Sequence, residues 1–226
     1  MTSDELYDLF RADVVDVAEP YLWSDHEVYT YMNDAYFMFV RLVGGIPDTL
    51  SDACMLEALP KEPLADLHPS ILRIRQATLL PTGDSIRVIN AQDLDSLSEE
   101  DWGVLRMVNM NTTIGKIRYM ITGLQQDVVR WVHIPDRMYT VQLLVDRLPL
   151  KTITGPAQKF EGVQPHHHLS FLKWMRYLAY NKQDAETFNK AKSDTEAAAF
   201  QAYCSMAKRE KDLYKHKVRV VRYGGL

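Results

Sequence analysis

The sequence predicts an α+β fold that is mainly α, an antiparallel helical bundle with an inserted antiparallel β module and an extended C-terminal arm. Three observations predict it. Apolar residues recur at helical spacing over the first 45 residues and again after about residue 165. Between them they recur at every second position, with more frequent proline and glycine, which is the texture of strands and turns. The chain then ends on "KHKVRVVRYGGL", an alternating basic and β-branched stretch that follows a charged helix without a loop. The division this implies is a bundle from residues 1–50 and 156–214, a β-rich insertion over 51–155, and an arm over 215–226.

The first helix starts at a capping box, Thr2 with Glu5, and its apolar face is Leu6, Leu9, Phe10, Val14 and Val17 before Pro20 stops it. A second capping box, Ser24 with Glu27, opens a helix whose face is Val28, Met32, Ala35, Tyr36, Phe39 and Val43, ended by Gly44-Gly45. These two helices form an αα-hairpin. "ILRIRQATL" and "SIRVI" flank "PTGD" and read as a β-hairpin. A short helix is expected from Ser98, with Asp101 three residues on. "KIRYMITG" places Ile117, Tyr119 and Ile121 on one face, "VVRWVHI" follows, and "YTVQLLVDRL" places Tyr139, Val141, Leu143 and Val145 on one face, so an antiparallel meander is predicted. One helix then spans about Pro165 to Lys182 with Leu169, Leu172, Met175 and Leu178 at helical spacing. The last runs from Asp184 to about Lys217, ~50 Å at 1.5 Å per residue. Its stripe (Phe188, Ala191, Ala198, Ala199, Tyr203, Met206) fades after Met206, so the charged final turns, "AKREKDLYKHK", are expected to project from the body.

Composition excludes several classes. A hydrophobic content of 46% over 226 residues is enough to bury a real core, which excludes global disorder. A net charge of −4 gives no overall preference for nucleic acid. The charge is unevenly placed: residues 1–52 hold eleven acids against Arg11 and Arg41, whereas the last 22 residues hold seven bases against Glu210 and Asp212. Ends of opposite sign suit head-to-tail association of copies. Cys54 and Cys204 lie far apart without ligand spacing and read as reduced thiols of an intracellular protein. The N-terminus is acidic, and the longest strongly apolar run, "AYFMFV", is far short of the ~20 residues of a membrane span, so a soluble protein without an export signal is expected.

Chemistry has few candidates. "PHHHLSF" invites a metal reading, but three consecutive histidines on an α-helix point about 100° apart, and Ser170 and Phe171 occupy the i+4 positions of His166 and His167. A helix start or interface is the plainer reading. G-x-S-x-G, Walker A and G-x-G-x-x-G patterns do not occur, and the pairs Asp4 with Asp8 and Asp13 with Asp16 read as solvated acids. The expectation is a non-enzyme with neither cofactor nor metal. The aromatic residues of the helices (among them Tyr7, Tyr29, Tyr31, Trp174 and Tyr177) exceed what one apolar face of each requires, which is compatible with subunit interfaces.

The C-terminal stretch has two charge-based readings. Its cations suit phosphates, giving a DNA-binding module as the alternative function. Yet Val218, Val220, Val221, Tyr223 and Leu226 are wasted on phosphate, and the alternation fits a strand or arm that adds to a partner's sheet edge or lies in its groove.

The phrases "LWSDHEVYTYMNDAYFMF", "VRWVHIPDRMYTVQLLVDRLPL" and "HHHLSFLKWMRYLAYNKQDAETFNKAKSDTEAAAFQAYCSMAKRE", followed by "KHKVRVVRYGGL", resemble the head-to-tail adaptor (connector) proteins of tailed bacteriophages, particularly the short-tailed type. The resemblance covers nearly the whole chain and is one of overall pattern. It implies a structural virion protein at the portal–tail junction, made in the host cytoplasm, forming a ring commonly of twelve copies beneath the portal. Tail nozzle or fibre proteins would attach to its other side, and DNA would pass only transiently through its channel. The portal-docking arm would be Lys217, Val218, Arg219, Val220, Val221, Arg222, Tyr223, Gly224, Gly225 and Leu226, and the β insertion would meet the tail. The imbalance of eleven acids to two bases over residues 1–52, taken with such a ring, suggests that the acidic helices face the channel and keep DNA from sticking.

Overall fold

The computed structural model describes residues 1–96, 113–183 and 187–213. The expected helix at Ser98 and Asp101 and the arm from Lys217 to Leu226 lie outside the described residues. Two compact units result: one from Met1–Gly44 with the described residues from 151 onward, the other Gly45–Leu150.

The mainly helical expectation is overturned. Among the described residues there are four α-helices and ten strands, and the β unit is a curled mixed sheet with its own core rather than an appendage to a bundle. Its strands are β1 (Ile46–Asp48), β2 (Met55–Ala58), β3 (Leu64–Asp66), β4 (Ile71–Leu80), β5 (Asp84–Asn90), β6 (Ile114–Gly115), β7 (Tyr119–Gln125), β8 (Val128–Val132), β9 (Ile134–Pro135) and β10 (Tyr139–Arg147). The order is β1-β10-β4-β5-β7-β8-β3, with β2 also on β10 and β6 with β9 forming a separate pair. The hairpin read from "PTGD" is present, with Leu79 opposite Asp84 and Gly83 at φ +76°. The antiparallel meander is corrected: β5 and β7 run parallel, Arg87 opposite Tyr119, and β10 leaves β8 to pair with β4. A parallel pair needs a long crossover, and residues 91–118 supply the length.

The sheet curls for a connectivity reason. β2 pairs with β10 on one side and β3 with β8 on the other, yet residues 59–63 alone join β2 to β3. The concave face is the core: Leu56 and Ala58, Ala77 and Leu79, Ile86, Met120, Val129 and Trp131, and the alternate residues Tyr139, Val141, Leu143 and Val145 of β10. Ile117 joins this core, whereas Ile121 and Tyr119 pack with Ile89 and Val132 on the other face, splitting the single face read for "KIRYMITG".

Gly45 enters β1 at φ +81°, and a Cβ there would lie 2.9 Å from Cβ of Asp146 and 3.1 Å from the Arg147 nitrogen. Gly45→Ala should therefore cost about 1–3 kcal/mol from backbone strain, with the clash added, measured by denaturant unfolding. Unchanged stability would show that β1 and β10 move apart freely.

Two ion pairs hold the same corner. Arg75 grips Asp146 through Nε and Nη2, both at 2.7 Å, and Arg147 Nε donates to Asp48. Burial pushes the Asp48 carboxyl up, but hydrogen bonds from the Ser51 side chain, Arg147 and the Leu50 and Ser51 amides outweigh it and hold the group well below the usual carboxylate range. A depressed carboxylate stabilises the fold fully above its ordinary value of 3.8 and loses that contribution as the pH falls through the folded value. Asp48→Asn should thus lower the melting temperature at neutral pH and flatten its fall below about pH 4. Parallel acid profiles for the two proteins would remove Asp48 from the account.

In the helical unit the helices are α1 (Ser3–Asp13), α2 (Asp25–Val43), α3 (Phe171–Tyr180) and α4 (Lys190–Leu213). Both capping boxes form, and the expected face of α2 is buried throughout. Gly44 closes α2 in the left-handed conformation. Helix α1 stops earlier than read, at Asp13, leaving Val17 exposed, because Val15 turns to positive φ and Asp16 is drawn inward. Asp16 is therefore no solvated acid: its carboxylate is buried against Arg11 and accepts from the Leu22 amide at 2.8 Å.

The helix read from Pro165 begins as a six-residue 3₁₀ segment, Pro165–Ser170. Such a segment advances 120° per residue rather than 100°, so six residues shift the pattern by about 120°. Leu169 is consequently exposed, while Phe171, Leu172, Met175 and Ala179 are buried. Phe171 packs on Phe39 and Phe160, and Tyr36 donates to the Glu161 carbonyl at 2.7 Å. The seam of α4 is also corrected. Phe188 and Met206 are exposed, and the buried positions are Ser193, Phe200, Cys204 and Ala207.

Candidate functional site at the foot of the last helix

The residues that could carry chemistry meet where the end of α4 passes the 3₁₀ segment. The expectation that the last turns project freely is corrected as far as Leu213, the last described residue. Ala207 is buried, Lys211 Nζ donates to the Gly44 carbonyl at 3.1 Å, and Glu210 approaches His166 at 3.5 Å. Burial of small residues allows close packing, and the long cationic side chain reaches the orphan carbonyl at the end of α2.

The three histidines have separate roles because the 3₁₀ turn aims them apart. His168 is buried between Phe160 and Phe171, and its Nε2 donates to the Val163 carbonyl at 3.1 Å. It is a core residue, and burial pushes its pKa down. His167 is nearly buried beside Phe39, with Nδ1 3.0 Å from the Tyr203 hydroxyl. That hydroxyl donates to the His166 carbonyl at 3.3 Å, so Nδ1 of His167 is the donor to the phenol oxygen and Nε2 carries the lone pair. Burial, aided by the neighbouring His166, lowers the His167 pKa. His166 is exposed, its ring 4.0 Å from that of His167 between centroids.

One nitrogen from each of His166 and His167 and a carboxylate oxygen of Glu210 lie within 4.8 Å of one another. Glu210 does not occupy the i+4 position of either histidine; it arrives from another helix, α4. No local signal in the sequence marks it.

The two cysteines are free and buried, and burial pushes the Cys204 thiol up to about 12, so it is inert at neutral pH. In the β unit, an open cleft of about 640 Å³ is lined by Asp52, Met55, Asp66, His68 and Leu150 among others. His68 Nδ1 lies 2.7 Å from the Ser70 hydroxyl, a contact that shapes the turn into β4. No described helix is long and apolar enough to cross a membrane.

Compared with known proteins, the chain matches no family model and no curated protein.

Proposed function

We propose that the protein is a ring-forming head-to-tail adaptor of a tailed bacteriophage, a structural virion component that docks to the portal through residues 217–226 and offers its other side to the tail. The observation that carries this reading is the end of α4. The helix is held along the helical unit by Phe200, Cys204 and Ala207, and it is followed in sequence by a stretch in which bases alternate with valines. A fixed base before a segment of that composition suits β-augmentation, in which main-chain hydrogen bonds give affinity and side chains give register. The opposite charge of the two ends of the chain suits a heterologous ring contact, which closes when the rotation is right.

The acids of residues 1–52 do not act as one surface. Asp16 is consumed by Arg11 and Asp48 by Arg147, whereas Asp25 and Asp13, paired with Arg11 and Arg176, stay partly exposed. A channel lining would draw on the remainder. The mechanism is sequential docking without covalent chemistry.

Electron microscopy of portal rings incubated with the protein tests the reading: an added ring on one face of the portal is expected. Portal rings that stay bare while the protein binds duplex DNA, with affinity falling steeply as salt rises, would replace the adaptor by the DNA-binding alternative.

A further inference from the structure

We propose that His166, His167 and Glu210 form a binding site for a divalent transition-metal ion of the zinc class, and that the ion clamps the last described turn of α4 to the 165–170 segment. The inference stands apart from the adaptor reading, because it rests on the helical unit alone.

The donor set is two imidazoles and one carboxylate, the combination that suits zinc and its neighbours rather than calcium or magnesium, which prefer all-oxygen shells. The three ligand atoms are already within 4.8 Å of one another. In a tetrahedral site with bonds of about 2.0–2.1 Å, ligand atoms lie about 3.4 Å apart, so closure asks for small side-chain movements. The two ligands that must move are the free ones: His166 and Glu210 are 56% and 43% exposed, and their closest approach is already 3.5 Å. The third is fixed. His167 is nearly buried, and its Nδ1 contact with Tyr203 holds the ring, as the outer-shell partner of a ligating histidine commonly does. Tyr203 also contacts the His166 carbonyl, so one residue of α4 braces both histidines while Glu210, on the same helix, completes the set. Three protein ligands leave a fourth position for water.

The clamp has a consequence for the helix. Glu210 and Lys211 anchor the last described turn of α4 to the rest of the unit, through His166 and the Gly44 carbonyl. A metal bond at Glu210 adds to the weaker of these anchors, just before the chain continues to residue 214.

The test uses full-length, tag-free protein stripped with chelator and titrated with Zn²⁺ against a chromophoric competitor. One equivalent is expected to bind, with His166→Gln and Glu210→Gln each weakening it at least about tenfold and His26→Gln, an exposed histidine elsewhere, leaving it unchanged. Both informative variants are at exposed groups, and their circular dichroism should match that of the parent. Co²⁺ in place of zinc should give visible absorption of the four-coordinate type. Amide exchange over residues 206–213 should slow when zinc is bound. Absent or substoichiometric binding, or binding that survives both variants, overturns the site, and unchanged exchange with one zinc bound overturns the clamp.

Discussion

Deleting residues 217–226 should leave a folded protein that no longer binds portal rings. Each unit has a described apolar core of its own: the sheet packs around Trp131 and the β10 residues, and the helices around Phe171, Phe39 and Phe200. The melting temperature of the truncated protein should therefore stay within error of the parent. Affinity for the portal should fall by about 100-fold or more, the loss expected when an added strand with its main-chain bonds is removed. Melting by circular dichroism and binding by surface plasmon resonance separate the two effects. A truncated protein that unfolds would make the stretch an internal strand, and undiminished binding would move docking to another surface.

The largest expected loss of stability is at Arg11. Its guanidinium is buried, donates to Asp16, to the Trp23 carbonyl at 2.6 Å and to the Tyr7 hydroxyl at 2.7 Å, and stacks over the Tyr21 ring at 4.1 Å. Asp16 in turn accepts from the backbone of Leu22 and Trp23. Arg11 thus ties α1 to the entrance of α2. Arg11→Met leaves the Asp16 carboxylate buried without its cation, which should cost about 3–5 kcal/mol. The double variant Arg11→Met with Asp16→Asn should recover part of the loss, because asparagine carries no charge and its single oxygen still accepts from the Leu22 amide. Denaturant unfolding of the two singles and the double gives the coupling. A cost below about 1 kcal/mol for Arg11→Met would mean that water reaches Asp16 and the pair is a surface bridge in effect.

What was legible in the sequence was local. Thr2 with Glu5 and Ser24 with Glu27 announce helix starts because both partners sit within one turn. The face of α2 and the alternation of β10 are legible because each is read against a single regular period. The rest depends on partners distant in sequence. Arg11 and Asp16 look like surface charges until the turn after α1 folds inward. The phase of α3 is lost because the 3₁₀ segment before it changes the period, and the proline at its start signals a helix without saying which kind. The seam of α4 hides because one of its positions is the polar Ser193, which donates to the Tyr177 carbonyl at 3.1 Å, and because alanines on several sides of the helix leave the phase of the stripe open. The parallel pairing of β5 with β7 follows from a crossover whose path no residue pattern declares. The same dependence on distant partners sets the weight of the sheet: local alternation suggests a meander on a bundle, whereas closure through residues 59–63 gives the strands a core of their own. For the site, the histidine run was visible and Glu210 was not.

Under the adaptor proposal the protein joins a portal through its C-terminal residues as one ring of copies. Light scattering coupled to size exclusion measures it most directly, on portal rings alone and with an excess of the intact chain. A single complex heavier than the portal by a fixed whole number of subunits is expected, twelve if the copy number is the one the resemblance implies, and no such complex with the chain lacking residues 217–226. Portal and protein eluting separately at their own masses would contradict it.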